Sequence, residues 1–234
     1  MNIRIAAWLV LIAGIGAGCS DSAALKRHLE RADAFFARER YAEAAIEYLG
    51  AVRLNPTNGA AMGALGVAYM RSGDYARAYP ALRRALELDP ALPGVKTRLA
   101  EMHLAGGDPA EARRLAAEVL ADVPEDLDAL LVWAAAATDT AGVDESLAGL
   151  QARRERHGSS VRYQLAVGSL QLRKGDLSSA GEAIAEALRL DPDSPDALLA
   201  KADWELRRGE VDAGRAALER AYQLAPGSSL AGVR

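Results

Sequence analysis

Between Gly59 and Leu92, apolar and small residues recur at helical spacing in two runs with a short polar break between them. Leu65, Gly66 and Tyr69 share one face of the first run, and Gly73-Asp74-Tyr75 interrupts it. Ala78, Leu82, Ala85, Leu86 and Leu88 resume the pattern, and Asp89-Pro90 ends it. A period of three to four residues on both sides of a Gly-Asp pair predicts two amphipathic helices packed back to back. Gly73 suits a left-handed C-cap, and Asp74 suits the N-cap of the following helix. Pro90 lacks the N–H that a longer helix would need. Gly66 and Ala78 carry almost no side chain, so the two helices can approach closely, and Ala85 does the same toward the next unit.

The pattern recurs along the chain. Pro56, Pro90 and Pro124 stand 34 residues apart, Pro192 and Pro226 continue the series, and Gly158 takes the place of the missing member. A 34-residue period with this content predicts an all-α array of helix pairs. The expected units are residues 25–58, 59–92, 93–126, 127–160, 161–194 and 195–228, with 229–234 opening a truncated seventh. Unit one turns on Glu39-Arg40 where its neighbours have Gly-Asp, and Pro80 falls early in the second helix of unit two. Unit four keeps the length but loses the pattern. Counted at constant phase, Arg153 and Arg154 occupy the places of Ala85 and Leu86, which predicts a loosened joint at residues 143–158.

Leu65, Gly66, Tyr69, Ala78, Leu82, Ala85 and Pro90 together resemble the tetratricopeptide repeat (TPR) family. That resemblance implies a right-handed superhelical solenoid of about six helix pairs. It also implies a groove lined by the first helix of each unit, mainly at its second, fifth, ninth and twelfth places. Carried onto this chain, the apolar groove positions are Phe36, Met70, Leu104, Leu131, Leu165, Leu172, Leu199 and Leu206, with Leu29, Val67 and Thr97 in the remaining slots. The charged members are Lys26, Asp33, Glu101, Asp128, Arg162, Asp196 and Asp203. The chaperone-tail receptors of the family clamp a terminal carboxylate with lysine at the fifth place and asparagine at the ninth. Here the fifth places hold Leu29, Gly63, Thr97, Leu131, Leu165 and Leu199, which disfavours that ligand. A largely apolar groove suits an extended or helical peptide, although leucines at these places also serve to pack one unit on the next.

The first residues add a second theme. Arg4 precedes a 14-residue apolar run from Ile5 to Gly18, too short for the ~20 residues that span a bilayer but suited to a signal peptide. The run ends Ile15-Gly16-Ala17-Gly18-Cys19 and resembles the lipobox of bacterial lipoproteins, with Gly16 where leucine is usual. The resemblance implies cleavage after residue 18, lipidation of Cys19 and a short tether at 19–24. Ser20 after the cysteine implies the periplasmic side of the outer membrane. An ordinary cleaved signal peptide, leaving a soluble periplasmic protein, is the alternative.

Composition narrows the chemistry. The 234 residues are 50% hydrophobic but only 5% aromatic, and the formal charge of −4 offers no basic field for nucleic acid. One cysteine excludes internal disulfides and a cysteine metal cluster. His28, His103 and His157 fall in separate units, and no HExxH, GxSxG or phosphate-binding loop occurs, so neither catalysis nor a cofactor is expected. Asp89, Asp108, Asp176 and Asp191 read as helix-end and turn residues, Arg83-Arg84, Arg113-Arg114 and Arg207-Arg208 as solvated helix faces, and Trp133 and Trp204 as core. The expectation is a non-enzymatic, lipid-anchored scaffold binding an envelope protein or peptide. The lipobox-then-repeat order resembles the TPR lipoproteins of exosortase-linked (PEP-CTERM) exopolysaccharide systems. A pilotin-like lipoprotein for type IV pilus secretin assembly is the alternative, and a carbohydrate-processing accessory is the rival from outside the binding class.

Overall fold

The computed structural model describes the backbone of residues 6–225 and the side chains of residues 21–225. The side chains of residues 1–20, that of Cys19 among them, and residues 226–234 lie outside the described residues. Among the described residues every regular element is a helix, and the chain divides into two compact units, residues 1–102 and 103–234.

The first compact unit contains α1 (Ala6–Phe36), α2 (Tyr41–Leu54), α3 (Gly59–Arg71), α4 (Tyr75–Leu88) and most of α5 (Val95–Ala105). α1 packs on α2, α2 on α3 and α3 on α4. Its core is built largely of alanine, with Ala32, Ala44, Ala51, Ala68 and Ala78 fully buried beside Tyr48, Leu65 and Tyr69. Small residues there set the helix spacing. A Cβ added to Gly66 would lie 2.6 Å from Cγ of Leu82 and 3.0 Å from its backbone nitrogen, so only glycine fits without a shift of α4. Side-chain caps start the helices: Asn58 accepts the Ala61 N–H at 2.9 Å and Asp74 the Arg77 N–H at 3.0 Å. Gly73 closes α3 at φ +82°, and Glu39 adopts the same left-handed backbone at φ 59° before α2. Arg40, the N-cap of α2, makes no side-chain cap bond. α4 runs on through Pro80, whose ring is exposed.

The second compact unit holds α6 (Pro109–Asp122), α7 (Leu127–Ala135), α8 (Thr140–Gln151), the single turn α9 (Arg154–His157), α10 (Val161–Lys174), α11 (Leu177–Leu190), α12 (Pro195–Arg207) and α13 (Val211–Leu224). α6 packs on α7, α10 on α11, α11 on α12 and α12 on α13, while α10 also meets α7 and α8. Asp108, Asp126, Asp139, Asp176 and Ser194 each accept an N–H from the first turn of the following helix. Asp89 and Asp191 instead accept the N–H two residues on, as turn residues do.

Repeat four corrects the constant-phase expectation. α7 has 9 residues against 13 in α3, and the N-cap of its partner helix is Asp139, three places earlier than the position matching Asp74. Counted from Asp74, the buried positions of α4 are Ala78, Ala81, Leu82 and Ala85; counted from Asp139, the same steps give Val143, Ser146, Leu147 and Leu150. Val143, Ser146 and Leu150 are buried and Leu147 is half-buried. Leu150 therefore takes the close-packed slot that Arg153 was expected to strain. Arg153 lies beyond the end of α8, donating from Nε to the Pro124 carbonyl at 2.7 Å and from Nη1 to the Gly149 carbonyl at 3.0 Å. The three displaced residues are taken up by α9, none of which is buried.

Candidate protein-docking face

The first helices of the last three repeats, α7, α10 and α12, are neighbours, with α10 between the other two. Their register is fixed by charge. Arg162, second in its repeat, donates to Asp128, second in the preceding one, at 2.6 Å. Leu131 and Leu165 stand three residues further along their own helices, so they occupy matching places one turn on. Leu199 is the matching residue of α12. All three are half-buried. Leu131 rests on a core of Leu130, Ala134, Leu150 and Tyr163. Each leucine thus contributes to packing while keeping part of its side chain open to a ligand.

The other expected groove residues are placed less uniformly. Leu104 is half-buried. Leu172 is buried with Ala180 and Ile184, because the last turn of α10 packs on α11, and it offers nothing to a ligand. Leu206 is 46% exposed and leans over Gly214, where an added Cβ would meet its Cγ at 3.0 Å. In the first compact unit Phe36 and Met70 pack partly buried on the core, and the Phe36 ring meets Tyr41 edge-on at 5.1 Å. Thr97 is 1% exposed and its hydroxyl has no hydrogen-bond partner.

Most of the charged slots are already engaged. Asp33 accepts the Tyr48 hydroxyl at 2.6 Å, and burial followed by that bond pushes the phenol well above its ordinary range. Arg98 pairs with Glu101, Asp203 holds Arg207 at 3.0 Å, and Lys26 approaches Glu30 at 3.7 Å. The histidines have carboxylate neighbours of their own: His28 meets Glu47 at 2.6 Å, His103 meets Asp108 at 3.3 Å and His157 meets Glu125 at 3.5 Å. No group of three or more His, Cys, Asp and Glu that could hold a metal ion occurs among the described residues, and no helix among them is long and apolar enough to cross a membrane.

Sequence reasoning missed the role of Arg113. Arg114 is a solvated helix-face residue paired with Glu111 and Glu118. Arg113 instead lies over the Trp133 ring at 4.1 Å and donates to the Trp133 carbonyl at 2.7 Å, to Ser146 Oγ at 3.1 Å and to Glu145 at 2.6 Å. It ties α6 to α7 and α8. Trp204 is likewise structural, its indole N–H donating to the Leu177 carbonyl at 2.7 Å beneath Arg208.

Two sequence-family models, each described as "Tetratricopeptide repeat", match residues 69–138 and residues 28–93, 139–195 and 165–229. The chain belongs to the tetratricopeptide repeat family. It is 30% identical over 201 residues to cellulose synthase operon protein C of Pseudomonas fluorescens (strain SBW25), covering 78% of this chain and 16% of that protein's length. Among solved structures it is similar to a thermophilic TPR protein of Thermus thermophilus, with a TM-score of 0.67 and 24% identity over 73% of this chain and 93% of the other. It is also similar to PilW, a widely conserved type IV pilus biogenesis factor, with a TM-score of 0.72 and 16% identity over 88% and 95% of the two chains. These neighbours establish the TPR fold, and TPR domains are scaffolds that bind peptides or proteins.

Proposed function

We propose that this TPR chain is a non-enzymatic scaffold, lipid-anchored through Cys19 on the periplasmic side of the outer membrane, that recruits a protein taking part in the export or assembly of an envelope polysaccharide. The observation that carries the docking role is the row formed by Leu131, Leu165 and Leu199, half-buried at matching places of three adjacent first helices. Such a row offers apolar contact at every repeat to a peptide laid across it. The apolar run and small residues leading up to Cys19 support the anchor: several acyl chains at ~0.8 kcal/mol per buried CH₂ hold a protein stably at a bilayer. The polysaccharide assignment draws support from the relative that is named for a cellulose synthase operon.

A deletion strain complemented with variants tests this reading. Wild type restores polysaccharide export, Cys19→Ser leaves the protein unlabelled by radioactive fatty acid, and the double variant Leu165→Asp/Leu199→Asp folds but fails to restore export. Normal export in the deletion strain, together with loss of assembled secretin, would replace this reading with the pilotin-like one. Full complementation by the leucine double variant would remove the docking face.

A further inference from the structure

The shortened second helix of repeat four leaves a cleft of about 560 Å³ between α9 and α11, floored by α10. Its floor carries a polar side chain with an open valence. Gln164 is 9% exposed, and its Nε2 donates to the Gly158 carbonyl at 2.6 Å. A carbonyl can only accept, so this bond fixes the orientation of the carboxamide and turns Oε1 away from Gly158. That oxygen accepts no hydrogen bond from the described residues, yet it is not among the side-chain atoms sealed from solvent. An amide satisfied at one end and open at the other is an acceptor positioned for an incoming N–H.

The walls supply charge of both signs. Arg154, on the α9 side, makes no ion pair among the described residues, whereas Glu186 opposite is held by Arg189 at 2.6 and 2.7 Å. Arg189 keeps the Glu186 carboxyl below its ordinary range, and Arg154 adds to this from across the cleft. Glu155 beside Arg154 and Glu182 on α11 are exposed and form no ion pair among the described residues. The groups outside any close ion pair are therefore one guanidinium, two carboxylates and the Gln164 amide oxygen. A purely anionic ligand would meet Glu155 and Glu182, and a purely cationic one would meet Arg154.

We propose that this cleft binds an extended peptide segment of a partner that carries one basic and one acidic side chain on either side of a backbone N–H. The acid faces Arg154, the base faces Glu182, and the N–H donates to Gln164 Oε1. The site lies on helices α9 to α11 and does not use Leu131, Leu165 or Leu199, so it is separate from the docking row.

The test uses the full chain in detergent and fluorescence anisotropy with four labelled, end-blocked pentapeptides: Ala-Lys-Ala-Glu-Ala, its Lys/Lys and Glu/Glu counterparts, and penta-alanine. The Lys/Glu peptide should saturate and bind roughly fivefold tighter than either single-sign peptide, the effect of about one exposed ion pair. Arg154→Glu should move the preference to the Lys/Lys peptide, and Glu182→Lys should move it to the Glu/Glu peptide. Both positions are exposed and circular dichroism checks that each variant folds, while Arg215→Ala on α13, outside the cleft, should leave all these affinities unchanged. Absence of saturable binding, or a preference that fails to follow the reversed charge in either variant, overturns the proposal.

Discussion

The two substitutions Leu150→Ala and Arg153→Ala decide where the core of repeat four lies, because the observed and the constant-phase registers give Arg153→Ala opposite signs. Leu150 is fully buried among Leu130, Val143, Tyr163 and Leu170. Its truncation removes the transfer energy of three carbons and leaves a cavity bounded by rigid neighbours, about 3 kcal/mol in total. The Tyr163 hydroxyl would keep its bond to the Leu150 carbonyl, 2.8 Å long, since that acceptor is backbone. Arg153→Ala removes two hydrogen bonds to carbonyls, one of them solvent-exposed, and so costs about 1 kcal/mol. Had Arg153 occupied the place of Ala85, alanine there would relieve strain and stabilise the fold. Urea unfolding followed by circular dichroism reads the sign, and amide exchange localises it, because repeat arrays unfold in parts. Residues 143–150 should exchange slowly and 151–158 quickly. Stabilisation by Arg153→Ala, or a loss below about 1 kcal/mol for Leu150→Ala, would refute the three-residue shift.

Other positions give independent checks. Glu39 holds a left-handed backbone at φ 59° where other turns have glycine, so Glu39→Gly should raise stability by about 0.5–1 kcal/mol in thermal melts. Thr97→Val removes a buried hydroxyl that has no partner and should be neutral or stabilising by about 1 kcal/mol. The carboxyls of Asp74, Glu111 and Glu186 are held below their ordinary range first by side-chain hydrogen bonds from Arg77, Arg114 and Arg189, and that of Asp176 first by the Ser179 backbone N–H. Their contribution is complete above the unfolded carboxylate range and is lost as pH falls through the folded one. Denaturant midpoints should therefore decline in acid, and Asp176→Asn should flatten that decline.

The period, the caps and the small-residue contacts were legible because each is a local chemical requirement. Gly66 faces Leu82 within one hairpin, and Asp74, Asp108 and Asp176 each begin the helix that follows them. The shift in repeat four was hidden because its total length stays at 34 while its internal turn moves by three residues. Asp139 followed by Val143, Ser146 and Leu150 carried the signal, but α7 ends at Ala135 with Ala136 as its C-cap and no glycine to mark the stop. The link from Arg113 to Trp133 and Ser146 joins residues 20 and 33 apart, a distance at which pattern reasoning has no purchase. The leucine row was readable as positions, while the burial of Leu172 depended on how α11 packs against the end of α10.

The docking role is tested most directly by site-specific photocrosslinking in the native host. With a benzophenone amino acid at Leu165 or Leu199, the account predicts a discrete crosslinked protein, the same at both sites, and none at Arg215 on the exposed side of α13. Equal crosslinking at Arg215, or no discrete product at either leucine, would contradict it.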